Sequence, residues 1–285
     1  MHNQTQTSTH PRLPVAWGKW GIRATAFSYL SILLVIPLLI IIQDGFSKGI
    51  AEFWRQVTFP LALSALWLTI WTSAVMTVLS TIFGFITAYV LVRYDFAGKR
   101  WLNAIIDLPL AIPTLVTGVM LVVLYGTQSA LGYWLNKEWG WEIIFAPSGI
   151  LLALLFTTFP FVVRTIQPAL LEMDQNQESA AATLGANSWE IFTRVTLPPL
   201  ILPLLSGAML SFARAIGEFG SIVIVAGNIP FYSQTAAVYV FGEVESENRL
   251  GASALSVVMV GIAFTFVLIT NWLTRLVNAP RGGIE

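Results

Sequence analysis

Two side chains of opposite charge, Arg214 and Glu218, stand four residues apart in the stretch SFARAIGEFG, inside an apolar run over about 196–227. On a helix, residues at i and i+4 share a face, so the two would meet. Each alone would cost about 2.5–3.5 kcal/mol at the centre of a membrane helix. Pairing relieves part of that cost. Arg before Glu is the weaker order for the helix dipole, so local helix stability is a poor reason to keep both. The pair must then face a bundle interior, a polar path or a second subunit. Two chemistries fit: a structural ion pair at a subunit interface or gate, or Arg214 meeting an anion in transit while Glu218 keeps that contact weak. Gly217 and Gly220 would allow close helix approach beside them.

Other residues bear on the same chemistry. Pro109 and Pro113 each remove a backbone donor. They either kink a helix or break it into two pieces lining a path, with amides and the hydroxyls of Thr114 and Thr117 turned to an anion. Pro160 and Pro168 read as kinks. Asp107 reads as a hydrated acid near a helix end; it would repel an anion. Arg164 either snorkels to the headgroups or sits at the inner mouth of a path. Glu243, Glu245 and Glu247 form an acidic loop, either simply solvated or a docking surface.

Catalytic and metal chemistry find little support. The chain has no cysteine, and its two histidines, His2 and His10, lie in the polar opening segment. No paired carboxylates or histidines fall within the apolar runs, and no phosphate-cradling G-x-x-x-x-G-K-[ST] loop occurs. The expectation is a chain without a catalytic site, metal or cofactor of its own. Zero net charge gives no basis for nucleic-acid binding.

The elements that must hold these residues follow from composition. Of 285 residues, 56% are hydrophobic and 11% charged, against roughly 25% charged in soluble domains. Too little charge remains to coat a water-facing surface, and membrane lipid becomes the expected surroundings. Six apolar stretches, 24–43, 61–92, 102–125, 148–172, 196–227 and 251–277, predict an all-α polytopic membrane protein with six transmembrane helices. Residues 1–23 read as a polar tail and 278–285 as a second; the first apolar run reads as a retained helix, not a cleaved leader. Arg12, Lys19, Arg23, Arg93, Lys99, Arg100, Arg194, Arg275 and Arg281 fall on one set of ends and loops, so both termini are expected in the cytoplasm. Tryptophans near the helix ends read as interfacial belts, and 126–147 as a segment lying along the outer interface.

One cytoplasmic connection is too long for a turn. Residues 173–195 read as helix, break, helix: Asp174 or Asn176 as a cap, the alanine run 180–182, Gly185 as a stop, then a capping box at Asn187 and Glu190. Leu197-Pro198-Pro199 would open the next span, where prolines are tolerated. On these residues alone the segment is either an interfacial hairpin or a docking element whose exposed Leu184 and Trp189 fill a partner's pocket.

The segment resembles the "EAA" motif of ABC-importer permeases: Glu-Ala-Ala, three residues, Gly, nine residues, Ile, one residue, Leu-Pro. Ser179, Ala180 and Ala181 take the first places, then Gly185, Val195, Leu197 and Pro198. Ser179 stands for the glutamate, with Glu178 one residue before it, and Val195 for the isoleucine. The stretches 107–126, 213–231 and 251–260 are similar to the sulfate/thiosulfate branch, in particular its T-type subunits, with molybdate permeases as the nearest relatives. The resemblance implies a type I ABC-importer permease fold in a bacterial inner membrane. It implies an ATP-driven importer of sulfate, and of thiosulfate as a second oxyanion. The partners it implies are a second, W-type permease, two copies of a cytoplasmic ATPase that bind ATP and Mg, and a periplasmic sulfate-binding protein. The 173–195 segment would be the coupling helix. A molybdate or tungstate permease is the alternative within the class, and a self-sufficient secondary anion carrier the alternative outside it.

Overall fold

A computed structural model describes residues 15–277 of the chain. The described residues are helical, joined by turns, with no strand among them. Helix α1 includes the candidate span Trp20–Gly45, and α2 is the short amphipathic helix Ile50–Val57. Next come α3 (Pro60–Arg93), α4 (Lys99–Ala111), α5 (Thr114–Tyr125), α6 (Ala130–Trp139) and α7 (Pro147–Glu172). Helix α8 is Gln175–Thr183 and α9 is Ser188–Ile216. The chain closes with α10 (Gly220–Val225), α11 (Ala236–Glu245) and α12 (Arg249–Val277). Among the described residues, five helices are long and apolar enough to cross a bilayer, or six spans if the bent pair α4 and α5 counts as one.

The centre is a three-helix pack of α3, α7 and α9. Val162 of α7 sits between glycines of its two neighbours. A Cβ at Gly84 of α3 would fall 2.8 Å from Val162 Cγ1, and one at Gly207 of α9 would fall 3.3 Å from Val162 Cα. Small residues matter here because lipid supplies no hydrophobic drive between helices; close packing has to do that work. Ala88, Leu91, Ile166, Leu170 and Leu200 continue the same core toward one end. Buried hydroxyls are absorbed locally: Thr72, Thr157 and Thr158 donate to carbonyls one turn back, and Ser80 bonds Thr158 across the α3–α7 seam at 3.1 Å. Helix α12 lies on α1, α2, α9 and α11.

The structure departs from the sequence reading in four places. First, helix begins at Val15, inside the segment expected to be a polar tail; residues 1–14 and 278–285 lie outside the described residues. Second, of the two readings of Pro109 and Pro113, a kink or a break, the structure has the break: the expected span 102–125 is two helices meeting at 113°. Pro113 is the cause: it excludes Ile112 from helical geometry, and Ile112 is extended at φ −83°, ψ 129°. Third, the expected span 196–227 ends at Ile216, and the chain breaks before restarting as α10. Fourth, Leu197-Pro198-Pro199 opens the regular α-helical stretch Leu197–Ile216 with its prolines in the first turn as expected, but helix already precedes it. Helix α9 already runs from Ser188, and a π turn over Phe192–Thr196 precedes the prolines. That wider turn relaxes the ladder where two consecutive residues bring no N–H.

Candidate functional site: a charged break between helices and a capped helical loop

Helix α9 ends two residues after Arg214, and Gly217 caps it. The chain then turns so that Glu218 points inward, its side chain 1% exposed. One carboxylate oxygen takes the Arg214 Nη1 at 2.6 Å. The other accepts from the Ser221 backbone N–H at 2.9 Å and from the Ser221 hydroxyl at 2.7 Å. Glu218 therefore both pairs Arg214 and caps the first turn of α10. A buried carboxylate survives in an apolar setting only with such partners. Arg214 is 32% exposed, and its guanidinium has no second partner among the described residues. The site can thus hold one charge fixed and buried while offering part of the opposite charge outward.

The two broken spans meet. Helix α10 packs along α5, and Gly220 lies against Thr114, the first residue of α5. A Cβ there would overlap the Thr114 hydroxyl and approach the Leu115 nitrogen to 3.1 Å. One turn on, a Cβ at Gly118 would fall 2.8 Å from the Ser221 carbonyl oxygen. Thr117 is buried at this seam with no hydrogen-bond partner for its hydroxyl. Of the residues singled out in the sequence, Thr114 thus comes to the Arg214–Glu218 turn, and Pro113 produces the break that lets it. Pro109 lies half-buried within α4, before the break. Gly217 is not a close-approach position within this chain: its Cβ would meet only the Ala213 carbonyl oxygen, at 3.9 Å. It terminates a helix instead.

The 173–195 loop is built as its residues dictate. Asp174 caps α8, accepting from the Asn176 N–H at 2.9 Å. Gly185, at φ +89°, ends it; the Gly185 N–H reaches the Ala182 carbonyl and the Ala186 N–H the Ala181 carbonyl, a Schellman pair. Asn187 and Glu190 exchange the reciprocal bonds of a capping box. The turn after α8 and the first turn of α9 thus present Leu184, 88% exposed, and Trp189, 71% exposed. Ser179 and Ala180 are exposed on the same element, with Ala181 partly covered. Val195 and Leu197 are half-buried at the root of α9, and Pro198 is exposed.

Glu178 behaves differently from its neighbours. It takes Arg93 Nη2 at 2.6 Å and the Thr196 hydroxyl at 2.8 Å. The Arg93 side chain, at the end of α3, is 10% exposed. Glu178 is therefore turned inward, tying α8 to α3 and to the root of α9, rather than standing outward for a partner. Residues 93 and 178 are too far apart for any helical spacing to announce the pair. The Glu218–Ser221 bond was within reach, since a carboxylate three residues before a serine at a helix start is a capping arrangement.

Other charges also find partners. Arg164 donates to both Asp107 oxygens at 2.6 Å, tying α7 to α4. The expected acidic loop is mostly helix: Glu243 and Glu245 lie within α11 and Glu247 follows it; Glu243 accepts from Asn248, and Arg249 bonds Asp44 at 3.1 Å. On α2, the Arg55 hydrogen bond holds the Glu52 carboxyl well below its usual range, at about 2.

With a membrane bundle, a helical loop over 173–195 and broken spans in place, comparison with known proteins identifies the class. Residues 80–280 match the family described as the inner membrane component of binding-protein-dependent transport systems, and the chain belongs to that family. It is a multi-pass protein of the inner membrane. Among its relatives, the chain is 38% identical over 272 residues to the sulfate transport system permease protein CysT of Synechococcus elongatus, covering 93% of this chain and 97% of that one. It is 39% identical over 259 residues to a probable sulfate transport system permease protein cysT of Nephroselmis olivacea, covering 91% and 89%. Its fold matches a chain of a bacterial alginate ABC transporter complex at a TM-score of 0.75 and 16% identity, covering 92% and 96%. The architecture is that of ABC-importer permeases.

Proposed function

We propose that this chain is the T-type permease subunit of an ATP-driven sulfate importer, handling sulfate and, as a second oxyanion, thiosulfate. The identity to permeases named for sulfate, sustained over nearly their whole length, carries this reading. In it, a periplasmic binding protein delivers the anion, a W-type permease completes the pathway, and two ATPase copies bind ATP and Mg at the cytoplasmic face. This chain supplies no catalytic group. Both termini and the 173–195 loop face the cytoplasm, in keeping with the Lys and Arg distribution.

Coupling is mechanical. Leu184 and Trp189 seat in the ATPase, with Ser179, Ala180 and Ala181 allowing close approach and Gly185 shaping the turn between the two anchors. Movement of α8 passes through Glu178 to Arg93 and Thr196, hence to α3 and α9. Helix α9 carries Arg214, so a push at the loop reaches the charged break. There, Arg214 and Glu218 form the gate, and Thr114, Pro113 and Pro109 shape the adjoining wall. An ion pair that is complete in one state and open in the other gives a bistable element for alternating access.

Copurification tests the docking half. Leu184→Asp with Trp189→Ala should abolish recovery of the ATPase with the tagged permease, while the permease remains in the membrane at normal level. Undiminished recovery would overturn the assignment of these residues.

A further inference from the structure

Arg164 has more bonds than any role at a lipid surface needs. Its Nε and Nη2 fork onto the two Asp107 oxygens, each at 2.6 Å. Its Nη2 also donates to the Asn103 backbone carbonyl at 2.8 Å, and its Nη1 to Asn103 Oδ1 at 2.9 Å. Gln167 Oε1, one turn along α7, takes Nη1 at 2.6 Å. Four of these five bonds cross from α7 to α4. A planar guanidinium matched to a carboxylate fixes direction as well as distance, which an ammonium cannot do.

What the fork fixes is the half-helix before the Pro113 break. Apart from this clamp, α4 holds to the bundle through little: Ile106 is its one buried residue, set against α7. Its far end leads through Ile112 and Pro113 directly into Thr114, which touches Gly220 two residues from Glu218. The angle at which α4 leaves α7 therefore sets where Thr114 meets the Arg214–Glu218 turn. The Asn103 carbonyl bond adds to this, because it ties Arg164 to the α4 backbone itself.

We infer that Arg164 is a positioning residue for transport: with Asp107 and Asn103 it latches α4 to α7 and so holds the broken helix against the charged gate. The inference rests on the permease reading but needs no contact between Arg164 and the ion. Within this chain the latch is not sealed inside the bundle, with Arg164 29% and Asp107 50% exposed.

The sequence carries no cysteine, which makes the geometry directly measurable. Spin labels at Arg100→Cys on α4 and Leu171→Cys on α7, in the full transporter with partner cysteines replaced, report the separation of the two helices. Asp107→Asn, nearly isosteric, and Arg164→Lys, which keeps the charge but not the fork, serve as perturbations; Arg164→Gln removes both. A narrow distance distribution is expected in the parent. It should broaden in Asp107→Asn and Arg164→Gln, with Arg164→Lys between them. Sulfate uptake should fall about ten- to a hundredfold in the two stronger variants, the range of a typical coupling between sites. ATPase copurification should stay unchanged. An unaltered distribution in both stronger variants overturns the latch, whatever uptake does. Broadening with normal uptake overturns its role in transport. If the labelled parent itself moves no sulfate, the substrate reading has failed instead; the distance readout still decides the latch.

Discussion

Breaking the Arg214–Glu218 pair should cut transport by a factor that can be worked from its geometry. The contact is one arm of the guanidinium on one carboxylate oxygen at 2.6 Å, with Glu218 1% and Arg214 32% exposed. At an effective dielectric constant of about 20, charges about 4 Å apart attract by roughly 4 kcal/mol before desolvation. Hydrogen bonds to charged groups net about 1.5–3 kcal/mol. The exposure of Arg214 and the single-arm contact place the pair near about 2 kcal/mol, or roughly thirtyfold in an equilibrium. If the pair is complete in one transport state only, its loss biases the switch by that factor. The assay is labelled sulfate uptake and ATP hydrolysis by reconstituted transporter carrying Arg214→Ala, Glu218→Gln or both. Each single change should lower uptake by about thirtyfold, and the double should be no worse than the singles, since residues acting as one unit do not add. Docking of the ATPase should be unaffected. Strict additivity in the double variant would refute the coupling, and normal uptake by Arg214→Ala would refute any part in transport.

Further outcomes follow from other contacts of the structure. Glu178→Gln or Arg93→Met should leave the ATPase bound but uncoupled, with ATP hydrolysis kept and uptake reduced about five- to fiftyfold, the scale of a typical coupling energy. Gly118→Ala should destabilise the permease by about 1–3 kcal/mol, read as earlier thermal unfolding in detergent, because its Cβ meets Ser221 backbone. Gly220→Ala should do the same but recover in part with Thr114→Ala, because part of that clash is a side-chain hydroxyl. On α2, the Arg55–Glu52 pair should survive acidification. A carboxyl lowered to about 2 adds stability above the ordinary carboxylate range and loses it only as pH falls through that value. Isotope-edited infrared titration of the Glu52 carboxyl checks this, and a midpoint near 4 would contradict it.

Span count and the loop motif were legible because each rests on local chemistry. Long apolar runs need no tertiary partner to be recognised, and Pro60, Pro147, Asp174, Gly185 and the Asn187–Glu190 box act within a few residues of their own helix ends. The breaks were harder. Hydropathy passes smoothly through Pro113 and Gly217, so a continuous span and a broken one look alike; only backbone geometry separates them. The Arg214–Glu218 pair was readable at i, i+4, yet it forms where α9 has already ended, with Glu218 turned to cap α10. Contacts between distant segments left no trace at all. Glu178 with Arg93, and Arg164 with Asp107, join residues whose separations carry no periodic signal, so neither pair could be read from the sequence.

The central claim is that this chain conducts sulfate only as part of an ATP-driven assembly. Labelled sulfate entry into proteoliposomes holding this permease, its partner permease, the ATPase and the loaded binding protein tests it most directly. The account predicts accumulation that requires ATP and is lost when this chain is omitted. Sulfate entry that proceeds without the ATPase, or ATP-dependent entry of molybdate with none of sulfate, would contradict it.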